Sequence, residues 1–196
     1  MRIKKECRDM SIAKESMRRS RSKSTGVGKT FCEFFAGIGL VREGLRHSGW
    51  KCLYANDNDP KKKEQYEAQF RDEHFHLEDV WNTEHVLSRI PDRPILATAS
   101  FPCIDLSLAG HWRGFQGEHS SAFFGFANAL AAMKNRQPKL VMLENVAGFL
   151  TSHDGKDFAS VVTLLAELGY FVDSFVVDAK HFLPQSRIRI FVIGIH

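Results

Sequence analysis

The sequence lacks the features that would place it in a membrane or among disulfide-bonded secreted proteins. No apolar run approaches the roughly 20 residues that a membrane-spanning helix requires. The N-terminus has no apolar stretch that could serve as a secretory signal. The cysteines form no C-x-x-C pair and stand far apart, at Cys7, Cys32, Cys52 and Cys103. These absences favour a cytoplasmic protein without a disulfide framework or a zinc cluster.

The positive charge of the chain is concentrated at its N-terminus. Residues 1–29 hold ten Lys and Arg against three Asp and Glu, whereas residues 30–196 hold 17 against 20. The first segment is also too poor in apolar residues to fold alone. We therefore expect a basic disordered tail at 1–29 and one folded domain at 30–196. The tail has three interpretations: a solvated extension or translation artefact, a phosphate-binding arm, or an organellar transit peptide.

From Thr30 onward, short apolar runs alternate with amphipathic segments. The apolar runs predict seven strands, at 30–35, 51–55, 74–77, 94–100, 140–143, 170–178 and 188–195. The segments between them predict helices that begin at 40 and lie near 61–70, 84–89, 122–134 and 156–168. This alternation predicts an α/β fold with a doubly wound, mainly parallel sheet. The polar, glycine-bearing segment 110–121 predicts a mobile functional loop.

Two glycines follow the first predicted strand, in the pattern Gly37-x-Gly39. Glycines at such a turn let the backbone approach a ligand closely, next to a helix N-terminus. Arg42 stands where a G-x-G-x-x-G turn has its third glycine, which argues against a pyrophosphate ligand. Asp57 ends the second strand about 20 residues later, where a carboxylate meets ribose hydroxyls. The pattern predicts either a site for a nucleoside without phosphates or an ordinary strand-to-helix turn.

Cys103 follows the fourth predicted strand, which adjoins the first strand in a doubly wound sheet. The carboxyl ends of these two strands border a crevice, so Gly37 and Cys103 should lie beside the same ligand. A cysteine there can be a nucleophile if nearby cations lower its pKa. Arg187 and Arg189, two residues apart on a strand, could supply those cations. The alternatives are a buried, inert cysteine and two surface arginines.

Glu144 directly follows the apolar run 140–143 and is predicted to project from a buried strand into the same crevice. Burial would keep a proton on its carboxyl group available for donation. Otherwise Glu144 is a capping or ion-paired structural residue. The coincidence of a cysteine, a carboxylate and two arginines at one sheet edge favours a site that attacks an electron-poor ring.

These residues resemble the motifs of the DNA cytosine-5 methyltransferase family, from Phe31 to about Gly194. The cofactor motif of that family is similar to Phe34-Phe35-Ala36-Gly37-Ile38-Gly39, and its nucleophile motif to Pro102-Cys103. Its two base-contacting motifs resemble Glu144-Asn145-Val146 and Gln185-x-Arg187-x-Arg189. Its mobile catalytic loop is similar to residues 108–124. Ordered motifs at these spacings are far more specific than any one of them alone.

The resemblance implies the S-adenosylmethionine-dependent methyltransferase (Rossmann-like) fold, with S-adenosylmethionine as cofactor and double-stranded DNA as substrate. It implies that Phe35 packs on the adenine, Asp57 holds the ribose and Asp79 holds the adenine amino group. Further cofactor contacts are implied at Ala36, Gly37, Ile38, Gly39 and Pro102.

The resemblance also implies a covalent mechanism on a cytosine that is flipped out of the DNA stack. The Cys103 thiolate would add to C6 of the base, and Glu144 would contact N3. Arg187 would hold the O2 side of the base, and Arg189 the nearby loop or phosphate.

The chain departs from the family pattern at several positions and in its extent. Leu40 replaces a usual glycine, Asp57 a usual glutamate, Glu78 a usual glycine and His119 a usual arginine. The target-recognition region and the closing motifs of the family are not found.

Three hypotheses follow: a catalytic subunit completed by a second subunit, a truncated fragment that is inactive alone, or a non-catalytic module that binds cofactor or DNA. Because some relatives methylate transfer RNA, an RNA substrate is the alternative to DNA.

Overall fold

The computed structural model describes residues 28–71, 74–90, 93–102 and 122–196. The predictions on the N-terminal tail fall almost entirely on residues 1–27, outside the described residues. The predictions on Cys103, His119 and the loop at 110–121 also lie outside them. The structure therefore tests the sheet, the helices and the crevice, but not the proposed nucleophile.

Seven strands form a single sheet in the order β3-β2-β1-β4-β5-β7-β6. In chain order the strands are β1 (Thr30–Phe34), β2 (Lys51–Asp57), β3 (Phe75–Leu77), β4 (Leu96–Ala99), β5 (Leu140–Val146), β6 (Phe171–Asp178) and β7 (Ile188–Ile195). Strands β1 to β5 pair in parallel, and β7 runs antiparallel to both β5 and β6. The predicted doubly wound, mainly parallel sheet is confirmed, with β1 beside β4 at the switch point.

The described residues include five α-helices, which occupy the places that the sequence pattern predicts. They are α1 (Leu40–Arg46), α2 (Pro60–Phe70), α3 (Thr83–Arg89), α4 (Ala122–Met133) and α5 (Lys156–Glu167). Helix α2 begins at Pro60, because proline suits the first helical position and the Asp59 carboxylate accepts the Lys61 N–H at 2.8 Å. None of the described helices is long and apolar enough to cross a membrane.

The main core lies on one face of the sheet. Strands β1, β4, β5 and β7 place alternate side chains there, and α3, α4 and α5 cover them with residues such as Val86, Phe126 and Val161. A smaller core lies on the opposite face, where Tyr66 of α2 packs on Ala55 and Phe75. Helices on both faces explain why β4 reads as a continuous apolar run in the sequence.

The outer part of the second face, on β5, β7 and β6, carries partly exposed apolar side chains. We call it the apolar face and define it by Met142, Phe171, Phe175, Phe191, Ile193 and Ile195. The strand register places these residues on one side of the sheet. Phe171 is 84% exposed, Ile195 54% and Phe175 50%. Val192 and Ile190, on the other side of β7, are fully buried.

Two strands extend further than the apolar pattern predicts, and the difference moves a site residue. β2 continues to Asp57, because Asn56 and Asp57 pair with β3. β5 continues to Val146, because it pairs with β7 as far as Arg189. Glu144 therefore lies within β5, and not past its end as predicted. Arg187 precedes β7, so the expectation that it shares a strand face with Arg189 is wrong.

Candidate active site

The turn after β1 adopts a left-handed backbone at three of its five residues. The φ angle is +56° at Phe35, +55° at Gly37 and +83° at Gly39. These values are ordinary for glycine, but they strain a phenylalanine backbone by on the order of 1–3 kcal/mol. Such strain is concentrated at functional sites, and Phe35 lines both cavities of this crevice.

Asp57 connects this turn to the end of β2. Its carboxylate is 4% exposed and accepts the Gly37 N–H at 3.0 Å and the Asp59 N–H at 3.1 Å. The Lys62 ammonium lies 3.2 Å from Oδ1 and 3.3 Å from Oδ2. The carboxylate thus fixes the glycine turn against the end of β2.

A cavity of about 320 Å³ lies at the carboxyl ends of β1, β2 and β4, and we call it the polar cavity. Its lining includes Phe35, Asn56, Asp57, Asp79, Ser100 and Pro102. The volume is within the range of small-ligand sites, and the position is the switch point where doubly wound folds bind ligands.

One buried acceptor in the polar cavity has no partner among the described residues. Asn56 Nδ2 donates to the Glu78 carbonyl at 3.3 Å, whereas Asn56 Oδ1 is buried and unsatisfied. Asp79 Oδ1 accepts the Trp81 N–H at 3.0 Å. An unpaired buried acceptor costs free energy unless a ligand supplies the missing donor, so the cavity is suited to a ligand with N–H or O–H groups.

Glu78 stands where the related motif has a glycine, and the structure accommodates its side chain. The Tyr54 hydroxyl donates to Glu78 Oε1 at 2.7 Å. Burial raises the pKa of Tyr54 well above its usual range, so the hydroxyl remains a donor. Glu78 therefore fits at this position because its carboxylate is hydrogen-bonded to Tyr54, which lies on β2 together with Asn56.

A second cavity, of about 700 Å³, adjoins the polar cavity, and we call it the apolar groove. It runs between α1 and the apolar face, and its lining includes Glu33, Gly37, Leu40, Met142, Glu144 and Arg187. The two cavities share Phe35, Lys62 and Ser100. A ligand in the polar cavity would therefore lie next to the acidic and basic groups of β5 and of the segment before β7.

Glu144 and Arg189 form an ion pair beside this junction. Arg189 Nε lies 2.8 Å from Glu144 Oε1, and the two side chains are 21% and 22% exposed. The expectation of a buried carboxyl group is therefore wrong, because Glu144 stands at the rim of the crevice. The pair uses one carboxylate oxygen and fixes the direction of the side chain.

Arg187 is held by its backbone rather than by its side chain. Its N–H donates to Asp178 Oδ1 at 2.9 Å, and Ser186 Oγ donates to Asp178 Oδ2 at 3.0 Å. The hydrogen bond from the Lys180 N–H, followed by those from Arg187 and Ser186, lowers the pKa of Asp178 to about 2. Asp178 thus anchors the segment that carries Arg187 to the rim of the apolar groove.

The chain that leads to Cys103 is fixed beside Glu144. Asn145 Nδ2 donates to the Phe101 carbonyl at 3.1 Å, a buried bond that joins the end of β4 to β5. Pro102, the last described residue before Cys103, lines the polar cavity. Pro102 therefore lies at the edge of this crevice.

The structure brings most of the predicted cofactor residues together. Phe35, Asp57, Asp79 and Pro102 line the polar cavity. Ala36, Gly37 and Ile38 line the apolar groove, whereas Gly39 lines neither cavity and instead packs against Phe70 and Tyr66 of α2. The sequence argument missed Asn56, Lys62, Trp81 and Ser100. Lys62 could have been found, because it lies in the first turn of a helix that begins directly after Asp57.

The polar cavity fits the cofactor that the resemblance implies. S-adenosylmethionine has an adenine amino group and two ribose hydroxyls as donors. Asn56 and Asp79 are acceptors in the cavity lining, and Asp57 becomes one when its contact with Lys62 is released. Phe35 and Trp81 supply aromatic surface for a planar base. In the described part of the chain, no cluster of three or more His, Cys, Asp or Glu side chains is placed to hold a metal ion.

The mainly parallel sheet, the antiparallel β7 and a cavity at the switch point define a doubly wound α/β protein with a candidate ligand site. Sequence comparison specifies the family. Residues 29–196 match the family model of the C-5 cytosine-specific DNA methylases, and the chain belongs to that family.

Individual relatives agree with this assignment. The chain is 36% identical over 173 residues to the type II methyltransferase M.BsuFI of Bacillus subtilis, covering 87% of this chain and 40% of that protein. It is 35% identical over 170 residues to the type II methyltransferase M.HpaII of Haemophilus parainfluenzae, covering 85% of this chain and 46% of that protein. The chain thus spans less than half the length of these relatives.

Solved structures show the same fold. The Dnmt2 methyltransferase of S. pombe superposes with a TM-score of 0.66 at 22% identity, covering 85% of this chain and 50% of that one. A putative DNA modification methyltransferase encoded within a prophage of E. coli gives 0.66 at 20% identity, covering 85% and 46%. At this identity the likeness establishes the fold alone.

Proposed function

We propose that the chain is the catalytic portion of a DNA (cytosine-5-)-methyltransferase, which transfers a methyl group from S-adenosylmethionine to C5 of cytosine in double-stranded DNA. One observation carries the proposal. In a chain of this family, the polar cavity, which Pro102 lines, adjoins the apolar groove, which Glu144 and Arg187 line.

In the proposed complex, S-adenosylmethionine occupies the polar cavity and supplies an electrophilic methyl group. Asp57 accepts the ribose hydroxyls, Asp79 and Asn56 Oδ1 face the adenine, and Phe35 packs on the ring. The unpaired Asn56 acceptor and the strained Phe35 backbone support these roles. Ala36, Gly37 and Ile38 lie on the side of the crevice that faces Glu144.

The protein residues must make C5 of cytosine nucleophilic, because an aromatic pyrimidine carbon does not accept a methyl group unaided. We assign the first bond to Cys103, whose thiolate sulfur adds to C6 and pushes an electron pair towards C5. Once C5 carries the methyl group, loss of the C5 proton to a base and cleavage of the C6–S bond restore the ring and the thiolate. The target base must leave the stack, at a cost of about a few kcal/mol.

Glu144 and Arg189 act on this step as a pair. Arg189 occupies Oε1 of Glu144, so we assign the second carboxyl oxygen, carrying a proton, to N3 of the base. Donation of that proton to N3 neutralises the negative charge that builds up on the ring when sulfur adds to C6, and the proton returns to Glu144 when the C6–S bond breaks. Arg187 is assigned to the O2 side of the base, because its backbone is fixed at the rim by Asp178.

We further propose that a second polypeptide, carrying the target-recognition region, completes the enzyme. The support for this proposal is the apolar face, which exposes Phe171, Phe175 and Ile195. An exposed apolar surface of this kind is typical of protein contacts. A fragment that is inactive under all conditions is the alternative.

Trapping on DNA that contains 5-fluorocytosine tests the proposal, because fluorine at C5 prevents release of the covalent adduct. We expect an adduct from the chain co-expressed with the product of the neighbouring open reading frame. Cys103→Ser should abolish the adduct and leave binding of S-adenosylmethionine within about two-fold, since the change is one atom.

Cys52→Ser is the matched control, because Cys52 lies on β2 outside both cavities and should leave the adduct intact. If Cys103→Ser formed as much adduct as the unaltered chain, the assignment of Cys103 as the nucleophile would be refuted. No adduct from any preparation would refute catalysis by this chain. Methyl transfer into transfer RNA but not into duplex DNA would reassign the substrate.

A further inference from the structure

The Asp57 carboxylate has no acceptor position left for a ligand. Its two oxygens offer about four lone-pair directions. The Gly37 N–H and Lys62 Nζ contact Oδ2, and the Asp59 N–H and Lys62 Nζ contact Oδ1. Ribose hydroxyls can therefore bind Asp57 only if one of these donors leaves.

Lys62 is the donor that can leave. The Gly37 and Asp59 donors are backbone groups, fixed in the turn after β1 and at the start of α2. The Lys62 side chain is 45% exposed, and it reaches Asp57 from the first turn of α2. A lysine side chain has four rotatable bonds and can move its ammonium into water at small cost.

Lys62 lies at the junction of the two cavities. Lys62 lines both the polar cavity and the apolar groove. Its ammonium therefore stands where the two cavities meet, over the carboxylate that the proposed cofactor requires. The pair joins an ammonium on a 45% exposed side chain to a carboxylate that is 4% exposed, and the exposed partner can return to water when two hydroxyl donors take its place on the buried one.

We infer that Lys62 is an internal competitor for the cofactor: it occupies Asp57 in the empty site and is exchanged for the ribose hydroxyls on binding. This inference rests on the proposed function, because it takes the ribose of S-adenosylmethionine as the incoming group. It makes Lys62 a residue that sets cofactor affinity, although it takes no part in methyl transfer.

Calorimetric titration of the full chain with S-adenosylmethionine tests the inference. Lys62→Met keeps the length and helix propensity of the side chain but removes the competing ammonium. We expect it to lower the Kd by about three-fold, the range expected for loss of a half-exposed ion pair. Adenosine should show the same gain, and 2′,3′-dideoxyadenosine, measured by competition, should show none.

Lys63→Met is the matched control, because Lys63 is the next residue of α2, pairs with Glu67 at 3.6 Å and lines neither cavity. Its Kd values should equal those of the unaltered chain. Equal affinity of Lys62→Met and Lys63→Met, or weaker binding by Lys62→Met, would overturn the inference and leave the cofactor assignment standing. A gain that also appears with the dideoxy compound would overturn it too, because the ribose hydroxyls would not be involved. Failure of all three proteins to bind S-adenosylmethionine would refute the proposed cofactor and the inference together.

Discussion

At the scale of single residues, Glu33 is a buried carboxyl group that the proposed chemistry does not use. It lies in β1, is 2% exposed, and its Oε1 accepts the Arg42 N–H at 3.3 Å. Its Oε2 has no hydrogen-bond partner among the described residues. Burial raises the pKa of Glu33 from 4.5 to about 8, although the bond from Arg42 opposes the shift. At neutral pH the native protein therefore holds a proton here that the unfolded chain releases.

This proton makes stability depend on pH in a defined direction. Because the folded pKa is raised, the stabilisation is present below about pH 4.5 and is lost as pH rises to about 8. We expect Glu33→Gln, which imitates the protonated form, to gain free energy of unfolding relative to the unaltered chain across this range. The gain should reach on the order of a few kcal/mol at pH 8. Urea denaturation at a series of pH values measures it.

Glu64→Gln is the control, because Glu64 is exposed on α2 and the same chemical change there removes no buried carboxyl group. A difference for Glu33→Gln that stays constant with pH would contradict the assignment of the raised pKa.

Individual site residues were predictable to different degrees. Phe35, Asp57 and Asp79 could be found because motif spacing and strand ends place them, and all three line the polar cavity. The ion pair of Glu144 with Arg189 could not be predicted, because it depends on the register between β5 and β7. The contact between Lys62 and Asp57 depends on a rotamer that no sequence pattern encodes.

At the scale of secondary-structure elements, the apolar pattern located every strand but not every strand end. Buried runs are visible in sequence because both faces of the central strands are covered. The ends depend on pairing partners: β2 extends to Asp57 because β3 lies beside it, and β5 extends to Val146 because β7 does. The antiparallel direction of β7 likewise depends on how the chain returns to β5, so the apolar pattern at 188–195 could not predict it.

The turn between β1 and α1 gives a prediction at this scale. Gly39 has φ +83°, and a Cβ there would overlap the Phe70 ring and lie 2.8 Å from Tyr66 Cε2. We expect Gly39→Ala to lower the free energy of unfolding by about 2–4 kcal/mol through strain and overlap. Binding of S-adenosylmethionine should weaken as well, because the turn also carries Gly37. Thermal denaturation and calorimetric titration measure the two effects.

Gly44→Ala in α1 is the matched control. Gly44 lies within the helix, and nothing stands within 4 Å of the Cβ that alanine would add. This change should stabilise the protein by about 0.5–1 kcal/mol, because alanine is the better helix former. A similar loss from both glycine substitutions would show that the left-handed turn is not the cause.

At the scale of the whole molecule, the two faces of the sheet are unequally covered. The face under α3, α4 and α5 is a closed core. On the opposite face, α1 and α2 lie over β1 and β2, and no other described helix lies over the apolar face. Phe175 stacks on Phe191 at 5.6 Å between ring centroids, yet half of its surface remains exposed. Because α/β sheets usually bury both faces, we expect this side to contact another segment or polypeptide.

The apolar face and the closed face should therefore respond differently to substitution. Phe171 is 84% exposed on the edge strand β6, so Phe171→Lys should change the free energy of unfolding by less than about 0.5 kcal/mol. The same change should reduce binding of a hydrophobic dye and light scattering by the isolated chain, because a lysine interrupts the apolar surface and makes the edge strand β6 less able to pair with another chain.

Val192→Ala, on the buried side of β7, is the comparison: it should lower the free energy of unfolding by about 1–3 kcal/mol and leave dye binding to the native protein unchanged. Denaturation curves and dye titrations of the two variants make the comparison. A loss of stability from Phe171→Lys as large as that from Val192→Ala would mean that part of this same chain already covers the apolar face.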